Sequence, residues 1–146
     1  MPAATVKEEL AAKDAQRAGA KRATFDKLRS KKRAELEFTT TLTTTDGPEE
    51  LSFLFRSMGS QAYDELITRH PPTTAQKAKN QSFNMDTFAP VLLSRVSAEP
   101  SLSVAEWTEI WTSEDWNQGE VSALFWTAVE LCNRGLDVNP TGPVSG

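Results

Sequence analysis

Cysteine and histidine are almost missing from this sequence: Cys132 and His70 are the single examples of each among 146 residues. One thiol excludes an intrachain disulfide, and one Cys with one His falls short of the four ligands of a structural zinc site. A Cys–His nucleophile pair stays arithmetically open. Cys132, however, falls in the apolar stripe of a helical segment, where a free Cys behaves as a small hydrophobe. A reactive thiol needs an electropositive, partly exposed setting instead. Also missing is any apolar run near the length that spans a bilayer. The N-terminus mixes Ala with Lys, Arg, Glu8, Glu9 and Asp14 and so lacks the apolar core of a secretory signal, which predicts a cytosolic protein. There is no Gly-rich phosphate loop, paired-His motif or nucleophile elbow. Acids are plentiful, at Asp64, Glu65, Glu109, Glu114 and Asp115, but solvation and capping explain them on polar helix faces and at helix starts. The sequence therefore predicts no catalytic residues, no metal ligands, no cofactor and no enzyme activity.

Apolar residues make up 38% of the chain, below the share usual for a compact domain. The length suits one modest core, so part of the chain is expected to stay outside it. The net charge of −4 conceals an asymmetry. Residues 1–33 carry ten Lys or Arg against four Asp or Glu, while residues 34–146 carry six against sixteen. A basic arm precedes an acidic body. Lys21, Arg22, Lys27, Arg29, Lys31, Lys32 and Arg33 could meet phosphates or an acidic protein surface. Only Phe25 offers them an aromatic platform for base stacking. The acidic body makes protein a better-fitting partner than nucleic acid.

Local pattern predicts four segments. Residues 1–34 read as a basic, polar helical arm, rich in helix formers but with a thin apolar stripe of Val6, Leu10, Phe25 and Leu28. Residues 35–46 read as a Thr-rich extended segment. Within it, Leu36, Phe38, Thr40 and Leu42 alternate with polar residues as in a half-buried strand at 35–42, or else form an extended linker. A lone strand would need a partner elsewhere in the chain, in another copy or in a ligand. Residues 47–136 read as an acidic helical domain. Asp46-Gly47-Pro48-Glu49-Glu50 has the form of a helix start, after which Leu51, Leu54, Phe55, Met58, Ala62, Leu66 and Ile67 fall on one helical face. His70-Pro71-Pro72 stops that run. Residues 137–146 read as a flexible tail. The predicted fold class is mainly α, a small multi-helix domain with at most one short strand.

Three junctions carry capping-box spacing: Thr73 with Gln76, Ser103 with Glu106, and Asn117 with Glu120. Leu102 with Trp107, and Trp116 with Val121, flank the last two as hydrophobic staples. Trp107, Ile110 and Trp111 share one helical face, and Val121, Leu124, Phe125, Ala128, Leu131 and Cys132 another. Gly135 with Leu136 has the form of a C-terminal cap. The four tryptophans, Trp107, Trp111, Trp116 and Trp126, fall within twenty residues. Such rings dominate cores and binding hot spots alike. Trp126 lies off its helix's main stripe and is expected to be exposed.

The order of several short signatures resembles the tail assembly chaperones of long-tailed bacteriophages, especially those of actinobacterial hosts. These are Tyr63-Asp64-Glu65-Leu66-Ile67, His70-Pro71-Pro72-Thr73 with Gln76, Phe83-Asn84, Thr87-Phe88-Ala89-Pro90, Glu99-Pro100 and Trp116-Asn117-Gln118-Gly119-Glu120. They span residues 63–131 and leave out the basic arm and the Thr-rich stretch. The resemblance implies a non-enzymatic protein of the host cytoplasm, absent from the finished virion. Such a protein coats and solubilises the tape measure protein and helps recruit the major tail (tube) protein. It also implies the shorter of two products related by a programmed frameshift. Self-association is compatible with it. Phe53, Phe55, Trp107, Trp111 and Trp126 are the candidate protein-binding residues, in a groove between helices. The rival readings are a nucleic-acid-associated adaptor using the basic arm, and a structural head–tail or tail component.

Overall fold

The computed structural model describes residues 19–140. They divide between two compact units, one running from Arg33 to Gly135 and the other formed by the chain before and after it. In the terminal unit the described helix is α1 (Phe25–Arg29), capped by the Thr24 hydroxyl, which accepts from Lys27 N at 3.2 Å. Phe25 and Leu28 are exposed, and the Arg29 guanidinium lies over the Phe25 ring. The first eighteen residues of the expected helical arm lie outside the described part; residues 19–34 hold one short helix. The expected tail from residue 137 shows no regular structure as far as residue 140, and residues 141–146 lie outside the described part.

The main unit is mixed α and β, and this corrects the mainly α expectation. Its elements are β1 (Glu35–Thr44), β2 (Gly47–Arg56), α2 (Ser60–Thr68), α3 (Thr74–Ala78), α4 (Met85–Val96), β3 (Ser97–Glu99), α5 (Val104–Thr112) and α6 (Gln118–Asn133). The strands form one antiparallel sheet in the order β1-β2-β3.

The difference begins at Asp46-Gly47-Pro48. This is not a helix start but the bend of a hairpin, whose register runs unbroken from Glu35↔Arg56 to Thr44↔Gly47. Gly47 has φ +98°, a left-handed value that residues with a Cβ rarely adopt, and it closes the turn. The Thr44 hydroxyl braces the bend, accepting from Asp46 N at 3.1 Å and donating to the Gly47 carbonyl at 3.2 Å. Leu51, Leu54, Phe55 and Met58 do fit a helical period, but Phe53 and Phe55 also fit a period of two. The strand wins because it gives β1 its missing partner and stacks Phe53 flat on Phe38, centroids 5.1 Å apart, with Phe55 edge-on to Phe38 at 4.9 Å. β3 adds a short third strand at the hairpin base, opposite Leu54 and Phe55.

The helices begin where the sequence signals them. All three capping boxes form, with each N-cap side chain accepting from the third helical N–H and the Gln or Glu there accepting from the N-cap N–H. The last helix ends otherwise than expected. Arg134 is its C-cap in an extended conformation, and Leu136 is exposed, so Gly135 makes no left-handed cap. Instead Asn133 turns its own amide back, donating to the Val129 carbonyl at 2.8 Å and to the Tyr63 hydroxyl at 3.2 Å. That second bond ties α6 to α2.

The core centres on α4. Phe88, Ala89, Leu92, Leu93 and Val96 are fully or almost fully buried there, against Trp107 of α5, Phe125, Ala128 and Leu131 of α6, Tyr63 and Leu66 of α2, and Phe53 and Phe55 of β2. Phe88 meets Phe125, Tyr63 and Phe83 through tilted or edge-on rings. Each such side chain contributes roughly 1.5–3 kcal/mol by leaving water. The sheet base and the helices thus share one apolar interior.

Candidate functional site: a groove between the hairpin and the last helix

The two capping residues of α6 determine how the chain reaches the hairpin. Asn117 Oδ1 accepts from Glu120 N, and Glu120 Oε1 accepts from Asn117 N, both at 2.9 Å. This fixes the first turn of α6 and leaves Trp116, just before it, half-buried against the edge of the core. Across from it, β1 presents Phe38, Thr40 and Leu42 on one face, each half-buried. Between these walls lies a groove of about 520 Å³, bounded by residues 38–42 of β1, by Trp116, and by the Ala123, Leu124 and Thr127 side of α6. A second space of about 730 Å³ adjoins it toward the hairpin tip, sharing Thr41, Leu42, Trp116 and Glu120. Trp116 also borders a third hollow, with Leu102 and Ile110.

The charged side chains lining the first two spaces are both acids, Asp115 and Glu120. Glu120 is held by its capping bond, so its charge sits at a defined point of the rim. The rest of the lining is Phe38, Trp116 and aliphatic side chains, a run of threonines, and Asn117 with Gly119 at the start of α6. This is the composition of a site that grips apolar side chains and favours bases over acids at its margin. Among the described residues, no group of three or more His, Cys, Asp or Glu is placed to hold a metal ion.

The residues nominated from sequence do not form one exposed surface. Phe53, Phe55 and Trp107 are buried at 7%, 0% and 2% exposure, so they are core and not a contact surface. Helical spacing puts Phe55 on an apolar helix face; on β2 both Phe53 and Phe55 point into the interior instead. The Trp107 indole N–H is buried without a hydrogen-bond partner. Trp111 is half-buried, with its ring edge-on to Phe125. Trp126 is 50% exposed and packs on Phe125, beside a small hollow of about 200 Å³ lined by Phe83 and Met85. It belongs to a different surface from the groove. The residues that sequence reasoning passed over are Phe38, Leu42 and Trp116. The alternation of β1 did place Phe38 and Leu42 on one face, and Trp116 was visible only as a staple.

Cys132 and His70 both have structural surroundings. Burial pushes the Cys132 thiol above its ordinary pKa, partly opposed by a hydrogen bond with the Met58 backbone. Burial, and then the nearby Arg69, lower the His70 pKa. His70 Nδ1 lies 2.9 Å from the Thr87 hydroxyl, and the His70 carbonyl accepts from Asn84 N at 2.8 Å. Asn84 Oδ1 in turn accepts from the Gln76 amide at 3.1 Å. The His-Pro-Pro, Gln76 and Phe83-Asn84 signatures are thus parts of one brace joining α3 to the start of α4. Comparison of the chain with protein-family models, with curated proteins and with solved structures finds no match.

Proposed function

We propose that this chain is a phage tail assembly chaperone that keeps the tape measure protein soluble by holding its apolar helical segments in the groove between β1 and α6. One observation carries the reading: an open groove with Phe38, Leu42, Trp116 and Leu124 as apolar walls, threonines along β1 and acids at its rim. A holdase needs apolar surface that accepts varied partners on a body whose charge keeps the complex dissolved. The acidic body supplies that charge, and the resemblance over residues 63–131 supplies the kind of client. Recruitment of the tube protein, action in the host cytoplasm and absence from the finished particle belong to the same proposal.

The test is co-expression with the tape measure protein of the same phage. The wild-type chain should move the client from the pellet to the supernatant and co-purify with it. Leu42→Asp and Trp116→Ala should abolish both effects while the far-ultraviolet spectrum stays unchanged. A client that stays insoluble with the wild-type chain, or groove variants that rescue it fully, would overturn the proposal.

A further inference from the structure

Among the described residues no strand lies on the outer side of β1, which is an edge of the sheet. Which backbone groups face outward follows from one bond. The Ala34 carbonyl accepts from Ser57 N at 2.8 Å, so the even-numbered residues of β1 direct their N–H and C=O toward β2. Glu35, Glu37, Thr39, Thr41 and Thr43 direct theirs outward. Edge strands in monomeric proteins are commonly short, bulged, or marked by Lys or Pro, because a bare edge invites pairing. β1 has none of these protections: it runs for ten residues, pairs with β2 without a bulge, and contains neither Lys nor Pro. The groove includes Thr39 and Thr41 in its lining, so there is open space beside the strand.

We propose that β1 pairs antiparallel with β1 of a second copy, giving a two-fold dimer with a continuous six-stranded sheet. The charge pattern selects this occupant. The charges on β1 are Glu35 and Glu37, both at its start, while residues 38–44 are uncharged. Antiparallel pairing about Thr40 sets Glu37 opposite Thr43 and Glu35 opposite Thr45 of the second copy, so no acid faces an acid. A parallel pairing in equal register would put each Glu beside its own copy, which is unfavourable. The same antiparallel register sets Phe38 opposite Leu42 of the second copy at non-hydrogen-bonded positions, where facing side chains are closest. From Glu37 to Thr43 the outward groups would form about eight backbone hydrogen bonds, two for each opposed pair. The strand is therefore self-complementary in charge, in apolar side chains and in backbone pairing, as a two-fold interface requires. The inference concerns the edge of β1 and stands independently of the client proposed for its face.

Sedimentation velocity of the full chain, without any client, tests this directly. The wild-type chain should sediment as a dimer. Thr41→Pro removes an outward N–H, which an edge position tolerates, and should yield a folded monomer. Thr40→Pro removes a bond to β2 and should damage the fold, which confirms the assignment of inward and outward groups. Thr40→Cys in a Cys132→Ala background places a thiol on the two-fold axis, where opposed Cα atoms about 4.5 Å apart are within disulfide range. It should oxidise to a covalent dimer, and this arm stays decisive even if Thr41→Pro unfolds the chain. A wild-type chain that remains a monomer at every concentration overturns the proposal. So does a dimer that survives Thr41→Pro and fails to cross-link through Thr40→Cys, or an edge that pairs only with an extended segment of another protein.

Discussion

The hairpin has two ends built from the same pair of strands but set in different surroundings. At its base, Phe38, Phe53 and Phe55 interlock, β3 covers the far side of β2, and Phe55 is wholly inaccessible to solvent. Toward its tip, Thr40 pairs with Leu51 and Leu42 with Glu49, and Leu51 is exposed. Three rings become threonines and lone leucines within four residues of strand. The base is made of side chains that bind the sheet to the helices. The tip carries enough apolar surface to be attractive but makes little use of it internally. A β-ribbon that is solid at one end and unsatisfied at the other suits a protein whose contacts are completed by something else.

The largest expected effect breaks this comparison at its strong end. Phe55→Ala should cost about 3–5 kcal/mol in urea denaturation, since the ring is fully enclosed. Leu42→Ala at the tip should cost no more than about 1 kcal/mol, as half-exposed positions do. Equal losses would mean that the two ends are not energetically distinct. Next in size is Trp107, buried in the same core but with an indole N–H that has no partner. Trp107→Ala should cost about 3–5 kcal/mol. Trp107→Phe should cost less than about 2 kcal/mol, because the lost volume is offset by removing an unpartnered buried donor worth roughly 1–3 kcal/mol. If Phe proves as costly as Ala, the N–H is paired in solution.

Those buried positions also explain what could be read in the sequence. Ser103 with Glu106 and Asn117 with Glu120 were legible because a capping box is made within four residues and needs nothing from afar. The faces carrying Trp107 and Phe125 were legible for the same reason. β2 was not, because Leu51, Leu54, Phe55 and Met58 satisfy a helical period as well as Phe53 and Phe55 satisfy a strand. Only the pairing with β1, a tertiary fact, decides between them. With β2 paired to β1, Phe53 and Phe55 turn into the interior and form no surface. The groove was illegible in a different way: its walls, Leu42 and Trp116, are more than seventy residues apart, and nothing local records that α6 starts opposite the hairpin.

A smaller effect sharpens the contrast at the groove itself. Ser103→Ala and Asn117→Ala each remove one capping acceptor and should each cost about 1 kcal/mol. Their thermal midpoints should fall together. Client co-purification should separate them, because Asn117 lines the groove and Ser103 does not. Equal loss of binding would show that stability, and not the groove wall, governs the interaction.

The smallest effect concerns His70, which lies outside the hairpin, in the brace between α3 and α4. Its pKa is lowered from an ordinary value near 6.5, first by burial and then by Arg69, so the folded chain resists the proton more than the unfolded chain does. Above the ordinary imidazole range both states are neutral and this group adds no pH dependence. As pH falls through that range the unfolded chain takes up the proton first, and stability drops until the folded-state pKa is passed. The drop should be slight, because the ring is only half-buried. Urea midpoints of the wild type and His70→Gln, compared at about pH 8 and about pH 5, isolate it from the carboxylates that both proteins share. The wild type should lose more stability on acidification than the Gln variant. The reverse order would mean that protonated His70 is held by the fold, with Thr87 or a nearby carbonyl accepting its proton.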